Sequence, residues 1–211
     1  MSRSTPTTKA TDGRERLIDA TIEETVEHGY AALSIEGIIR RAGATQAFFH
    51  SHFADKQAAV EAAYELLFEG YFERLLQTCA AQPSWALKVK AGIGVTLDMA
   101  AASPVEAQFL AVDVMAVGDD FFRRVLDSRD RVARLLVVGR TEGRYGAELP
   151  GVIEPALVAG VVGVISNQLR AGEARHLPAL APQLIELTLT PYLGREQAAE
   201  FAVRPCERSA G

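Results

Sequence analysis

Apolar residues recur at helical spacing along most of the chain. Between residues 14 and 26 they return every three or four positions, with glutamates on the opposite side. A longer stripe of the same period runs from Val60 to Leu75. We find no convincing alternation of apolar and polar residues of the kind a strand requires, and no tandem repeat. The pattern predicts an all-α protein, a three-helix head followed by a larger helical body, with about nine helices in all.

Turn and capping residues divide the head into short elements. Gly29 is expected to stop the first helix, and Ser34 to cap a short second helix that ends at Gly43. Thr45 then caps a third helix that reaches about His52. Two short helices joined by a tight glycine-containing turn, with a packing helix before them, are the outline of a helix-turn-helix.

The remaining chain divides into a body and two flanking segments. Asp55 is expected to cap a long fourth helix, and Pro and Gly breakers separate the helical stretches that follow it. The Ser/Thr-rich start has no apolar period, which favours a disordered arm. The predicted organisation is an arm over residues 1–12, a helix-turn-helix head over 13–56, a helical body over 57–195 and a flexible tail over 196–211.

Composition places the chain among soluble globular proteins. Apolar residues make up 48% and charged residues 23% of it. The longest apolar run, residues 156–165, is half of the about 20 residues that a membrane span needs. No apolar segment typical of a signal peptide follows Met1. Cys79 and Cys206 form no disulfide framework, so we expect a cytoplasmic protein.

The charge balance limits how the chain could bind nucleic acid. The formal net charge is −5, and residues 1–56 hold seven Lys/Arg against eight Asp/Glu. This balance argues against a protein that coats nucleic acid nonspecifically. It leaves room for a small basic face, so any nucleic-acid hypothesis must rest on where individual side chains lie.

One segment resembles a known family. Residues 14–65, RERLIDATIEETVEHGYAALSIEGIIRRAGATQAFFHSHFADKQAAVEAAYE, resemble the N-terminal domain of TetR-type transcriptional regulators. Three sequence features match. The first helix ends in HGY, the second helix has the pattern Ser-Ile-x-x-Ile-x-x-x-Ala-Gly, and the pattern His-Phe-x-x-Lys stands at the end of the third helix. The resemblance implies a homodimer that binds a palindromic operator through two heads. It also implies a repressor that is released by a small molecule held in the body.

The third helix is expected to have two different faces. Phe49 and Phe53 are four residues apart and share the side that closes the head's core. On the other side, Thr45 can cap the helix and meet a phosphate. Gln46 is the best candidate for reading a base, because a carboxamide can pair with adenine; a plain solvated residue is the alternative. Ala47 stands where the family has small residues, and it can touch a thymine methyl.

Phe48 departs from the family, which mostly has Thr, Ser or Ala at this position. An exposed phenylalanine could contact thymine methyls or sugars, and an inward one would pack in the head. Both orientations stay open on the sequence. Because of this departure, the operator sequence cannot be inferred from the resemblance.

Other positions are expected to face the phosphate backbone. The resemblance implies this role for Ser34, His50, His52 and Lys56. Arg40 and Arg41 are expected to flank the DNA face, with one of them as an alternative solvated charge.

Two other classes of function have weaker support. His50 and His52 are two residues apart, so on a helix they point about 200° apart and cannot easily share an ion. We therefore expect neither a metal nor a cofactor. No nucleophile elbow, zinc-protease motif or phosphate loop occurs, so we expect no enzyme. The alternative function is a helical small-molecule-binding module that does not read DNA.

The body is expected to hold the ligand and the dimer interface. Candidate pocket residues, each of which could equally be plain core, are Tyr64, Phe68, Trp85, Met99, Phe109, Asp113 and Met115. The last two helices are expected to form a four-helix bundle with a second copy, because they combine small residues with an apolar side. The positions proposed for this interface are Gly160, Gly163, Leu180, Leu184, Ile185 and Leu189.

Overall fold

The structure is a computed structural model that describes residues 6–203, with side chains from residue 13 onward. Its helices are α1 Pro6–Ala32, α2 Ile35–Ala42, α3 Gln46–His50, α4 Lys56–Ala80, α5 Trp85–Ala102, α6 Pro104–Ala111, α7 Asp119–Arg134, α8 Gly139–Glu142, α9 Ile153–Arg170, α10 Ala181–Leu193 and α11 Arg195–Val203. Short 3₁₀ helices cover Asp113–Ala116, Gly146–Glu148 and Ala174–Leu180. No strand occurs in residues 6–203, and the all-α prediction is confirmed.

The predicted caps of the head are present. Gly29 interrupts α1 with a φ of 76°, a conformation that glycine adopts without steric cost. The Ser34 hydroxyl accepts a hydrogen bond from the Gly37 amide at 3.1 Å and so begins α2. Gly43 ends α2 with a φ of 61°. Thr45 caps α3 in the same way as Ser34 caps α2, by accepting from the backbone amide three residues on.

Large apolar side chains from α1 to α4 close the head's core. Leu17 and Ile18 from α1 and Ile38 from α2 are buried, as are Phe49 of α3 and Phe53 of the loop after it. Asp55 accepts a hydrogen bond from the Ala58 amide at 2.8 Å and thereby caps α4. Close packing of these side chains holds α3 against the other helices of the head.

The described residues form two compact units. The first runs to Glu69 and includes Gln108–Val125, and the second contains Gly70–Ala107 and the chain from Leu126 onward. Within the first unit, the Tyr64 ring stands edge-on to Phe121, with centroids 5.2 Å apart. Residues 108–125 therefore pack in the same unit as the head, whereas their place in the sequence predicted that they belong to the body. Such long-range contacts leave no mark on local periodicity.

The second unit has its own core. The Trp85 ring packs edge-on against Tyr192, with centroids 4.8 Å apart. Lys90 is buried, and its ammonium donates to the carbonyl of Phe201 at 2.7 Å, in the last turn of α11. A cation at this place stabilises the C-terminal end of a helix.

Helices extend into both segments that were predicted to be flexible, the arm over residues 1–12 and the tail over 196–211. α11 covers Arg195–Val203, where a tail was predicted, because Ala198 and Ala202 are buried there. α1 begins at Pro6, inside the predicted arm. Adding turns to a helix that already packs is far easier than nucleating a new one. Residues 1–5 and 204–211, including Cys206, lie outside the described residues. Within the described chain, no helix has the length and apolarity to cross a bilayer.

Candidate nucleic-acid interface

α3 presents one face to the core and another to solvent. Phe49 is 0% exposed and Phe53 is buried as well, as the sequence predicts. Gln46, Ala47 and His50 are exposed. α3 is the second helix of a helix-turn-helix, the element that enters the major groove in this class of motif. The exposed side chains are therefore in a position from which they could reach base edges.

Phe48 is half-buried and turned toward α1. A methyl group built on Gly13 of α1 would lie 2.6 Å from Cζ at the tip of the Phe48 ring. The other side of the same ring meets the His52 imidazole edge-on, with centroids 4.8 Å apart. Of the two orientations that the sequence leaves open, the structure has the one in which the ring packs within the head.

The two histidines of this region differ in their surroundings. His50 is exposed, and its ring stands edge-on to Phe49 at 5.4 Å between centroids. His52 is half-buried between the rings of Phe48 and Phe53, the latter at 6.3 Å. In the described residues, no group of three or more His, Cys, Asp or Glu has a geometry that could hold a metal ion.

Lys56, which the sequence predicts as a phosphate contact, is half-buried and hydrogen-bonded within the head. Its ammonium donates to the carbonyl of Tyr30 at 3.2 Å and to that of Leu33 at 2.9 Å. It also lies 4.7 Å from the centre of the Tyr30 ring. The Tyr30 carbonyl also accepts from the Leu33 amide at 3.3 Å, so Lys56 adds a charged donor where α1 ends.

Arg41 is likewise used inside the head, although it was expected to flank the DNA. Its guanidinium donates to Glu24 at 2.8 Å, to Glu23 at 3.2 Å and to Glu27. The hydrogen bond and charge of Arg41 hold the pKa of Glu27 below its usual value. In turn the three carboxylates raise the pKa of Arg41. Arg40 also lies within 4.0 Å of Glu24, but its side chain is 75% exposed, so of these two arginines it is the one that faces solvent.

The polar side chains before the two short helices serve first as caps. Ser34 and Thr45 are exposed, and each hydroxyl already accepts one backbone hydrogen bond. A hydroxyl can still donate its own proton to a further acceptor. The sequence could not reveal that Lys56 and Arg41 are engaged, because their partners are 23 or more and 14 or more residues away, respectively.

The predicted pocket residues fall into both units. Tyr64, Phe68, Phe109, Asp113 and Met115 belong to the first unit. There the Tyr64 and Phe68 rings are stacked, and Phe109 is fully buried. Met115 is 36% exposed.

The other two pocket residues belong to the second unit. Trp85 is buried, and Met99 is half-buried. A Cβ at Gly139 would approach the Trp85 ring to 2.3 Å, so this ring is tightly packed. The geometry of Trp85 is that of a core residue.

The predicted dimer residues all belong to the second unit and differ in exposure. Gly160 and Gly163 on α9 are exposed. Leu184, Ile185 and Leu189 on α10 are buried within the chain, and Leu180 is half-buried. The prediction that these three leucine and isoleucine side chains face a partner is wrong, because they are buried within the chain itself. Leu187, which was not among the predicted positions, is 48% exposed on the outer side of α10.

Comparison with known proteins agrees with this description. Residues 17–69 match the family described as bacterial regulatory proteins, tetR family. No curated protein matches the chain significantly in sequence. Among solved structures, the fatty acid degradation regulator FadR from Bacillus halodurans aligns with a TM-score of 0.76 at 17% identity, over 89% of this chain and 97% of that one.

Two further structures share the fold. FadR from Bacillus subtilis, in complex with stearoyl-CoA, has a TM-score of 0.70 at 17% identity over 84% of this chain and 98% of its own. SmeT, the repressor of the Stenotrophomonas maltophilia multidrug efflux pump SmeDEF, has a TM-score of 0.69 at 23% identity. The alignment covers 86% of this chain and 92% of SmeT. Residues 17–69 therefore match the tetR family of bacterial regulatory proteins, and the chain as a whole shares the all-α fold of these solved structures.

Proposed function

We propose that this chain is a homodimeric, non-enzymatic repressor of the cytoplasm that binds a palindromic operator and is released from it by a small molecule. The observation that carries the proposal is the exposed row Gln46, Ala47 and His50 on the second helix of a helix-turn-helix whose opposite face is locked in the core. A helix held in this way can enter a major groove without rearranging.

Within this proposal, Gln46 reads a base edge and Ala47 allows the helix to approach closely. His50, His52, Thr45 and Ser34 contact the phosphates on either side of the groove, together with Arg40. Lys56 and Arg41 act differently, since they hold the helices of the head in place. Phosphate contacts fix the position of the head on the duplex, and base contacts give the sequence preference.

The dimer is proposed to form through the outer faces of α9 and α10. A Cβ built on Gly160 or Gly163 meets no atom within 4 Å, so the chain's own packing does not require glycine there. Gly160 and Gly163 are three residues apart, so they share one side of α9 and leave room there for the close approach of another helix. Leu187 supplies an apolar side chain on the neighbouring helix. An isologous dimer would give two heads at a fixed spacing, as a palindrome requires.

Release by a ligand is proposed to act along α4. This helix runs continuously from Lys56 to Ala80 and contributes residues to both compact units. A ligand that prefers one orientation of α4 would change the spacing of the two heads, for which a coupling of about 1–3 kcal/mol is enough. One protein of similar fold is in complex with stearoyl-CoA, and another represses an efflux pump, which supports a small-molecule effector without assigning its class.

Paired substitutions test the DNA-binding part of the proposal. Gln46→Ala and His52→Ala should each weaken binding to a duplex selected from genomic fragments, the former by about tenfold or more. Gln197→Ala and His176→Ala are the matched controls, since both side chains are exposed in the second unit. Sedimentation and thermal unfolding should show folded dimers throughout. Equal affinity in all four variants would contradict the assignment.

The alternative function makes a different prediction in the same assay. A helical module that binds only a small molecule would select no duplex at all, and none of the four substitutions would have a measurable effect on nucleic-acid binding. The wild-type selection therefore separates the two functions before any variant is made.

A further inference from the structure

The Phe48 side chain occupies an unusual position for a residue on the second helix of a helix-turn-helix. Its ring tip points at Gly13 of α1, where an added Cβ would come within 2.6 Å of Cζ and 3.1 Å of Cε1. Gly13 is buried beneath this ring. The absence of a side chain at position 13 is therefore what makes room for the phenylalanine.

The same ring holds the His52 imidazole. The two centroids are 4.8 Å apart, with an angle of 74° between the planes, which is a favourable edge-to-face arrangement. Phe53 lies on another side of the imidazole at 6.3 Å. His52 is four residues after Phe48, so the contact spans the end of α3 and the turn that follows it.

Resting on the proposed function, we propose that Phe48 is a positioning residue that fixes the His52 imidazole for a phosphate contact, and that it reads no base itself. Gly13, Phe48 and His52 form a row of contacts from α1 to the phosphate-facing end of the head. A change at Gly13 should therefore reach His52 through the ring, although the two residues are 39 positions apart in the sequence.

The geometry argues against direct base reading by Phe48. A ring that contacts a thymine methyl must direct its edge or face into the groove. Here the tip of the ring is directed at α1 and one side of it meets His52, so the ring surface is largely used within the head. Turning the ring out would break both contacts.

A first test uses the free protein and does not depend on DNA. Phe48→Leu and Gly13→Ala should each change the NMR signals of the His52 ring, the first by removing the aromatic ring and the second by displacing it. Gly70→Ala is the matched control, because that helical glycine is exposed with no atom within 4 Å of an added Cβ. Unchanged His52 signals in Gly13→Ala would overturn the proposed row of contacts.

A second test measures affinity for the best duplex that the wild type selects from genomic fragments. Phe48→Leu and Gly13→Ala should each weaken binding about three- to tenfold, the range that corresponds to one hydrogen bond. The double variant should be no weaker than the worse single one, because both changes act on the same contact. Single base-pair changes in the duplex should have the same relative effects in every variant.

A different set of results is expected if Phe48 contacts a base directly. If Phe48 reads a base, Phe48→Leu will remove the preference at one base pair, and Gly13→Ala will leave affinity unchanged. If the wild type selects no duplex, the proposed function fails, while the NMR test still decides whether the row of contacts exists. Circular dichroism and thermal unfolding confirm that each variant is folded.

Discussion

Lys56 is hydrogen-bonded to Leu33, with its ammonium nitrogen 2.9 Å from the Leu33 carbonyl oxygen. The same ammonium also donates to the carbonyl of Tyr30. The lysine at the start of α4 therefore closes the end of α1. This finding separates residues that touch DNA in our proposal from residues that keep the head in shape.

The role of Lys56 can be tested by Lys56→Met, which keeps most of the side chain and removes the charge. We expect the free energy of unfolding to fall by about 1–3 kcal/mol, because two carbonyls lose a charged donor. The slope of log affinity against log salt should stay as in the wild type. Lys88→Met, at an exposed position of α5, is the control. A phosphate-binding Lys56 would instead leave stability unchanged and lower the salt slope by about 1.

Arg41 should matter for the stability of the head at neutral pH. Arg41→Ala removes the cation that donates a hydrogen bond to the buried Glu24 carboxylate, and loss of a hydrogen bond to a buried charged group costs about 1–3 kcal/mol. Arg40→Ala, at an exposed position, should have a much smaller effect. Urea unfolding at pH 7 measures both. A stability loss as large in Arg40→Ala as in Arg41→Ala would contradict the assignment.

The same ion cluster predicts how stability depends on pH. Arg41 lowers the pKa of Glu27 in the folded protein below its ordinary value of 4.5. A depressed carboxylate pKa contributes stability that is present above the ordinary value and is lost as pH falls through the folded one. Unfolding measured from pH 6 to pH 3 should therefore show a loss below about pH 4.5 that is smaller in Arg41→Ala. Parallel curves for the two proteins would be contrary to this account.

The proposed dimer predicts a difference between two exposed glycines. Gly163→Leu should dissociate the dimer, because the added side chain prevents close approach of a second helix. Gly70→Leu, also exposed and with open space around its Cα, should leave the dimer intact. Both variants should gain helix propensity. Sedimentation velocity across a concentration series distinguishes them, and an intact Gly163→Leu dimer would place the interface elsewhere.

Trp85 is expected to behave as a core residue. Its indole nitrogen is buried, with no hydrogen-bond partner among the described residues, so Trp85→Phe should cost about 1.5 kcal/mol or less. Gly139→Ala should cost more, about 1–3 kcal/mol, since its methyl would overlap the tryptophan ring. Thermal unfolding of both variants compares the two losses of stability. A smaller loss in Gly139→Ala than in Trp85→Phe would mean that the tryptophan ring is loosely packed.

The features that depend on neighbours in sequence could be predicted. The caps at Ser34, Thr45 and Asp55 use a side chain and an amide three residues on. The break at Gly29 and the end at Gly43 require only a positive φ. The split of α3 into a buried and an exposed side follows from helical periodicity alone.

The features that depend on distant residues could not be predicted. Leu184, Ile185 and Leu189 show an apolar stripe, but a stripe does not say whether the same chain or a partner covers it. The direction of Phe48 depends on Gly13, and that of Lys56 depends on the carbonyls of Tyr30 and Leu33 at the end of α1. In each of these cases, the deciding group lies on another helix.

The most direct test of the central claim is selection of fragmented genomic DNA by the purified protein at physiological salt, followed by sequencing. The account predicts enrichment of a palindrome with half-sites about one helical turn apart, and loss of that enrichment in Gln46→Ala. No enriched sequence across a salt series, from a protein shown to be a folded dimer, would contradict it.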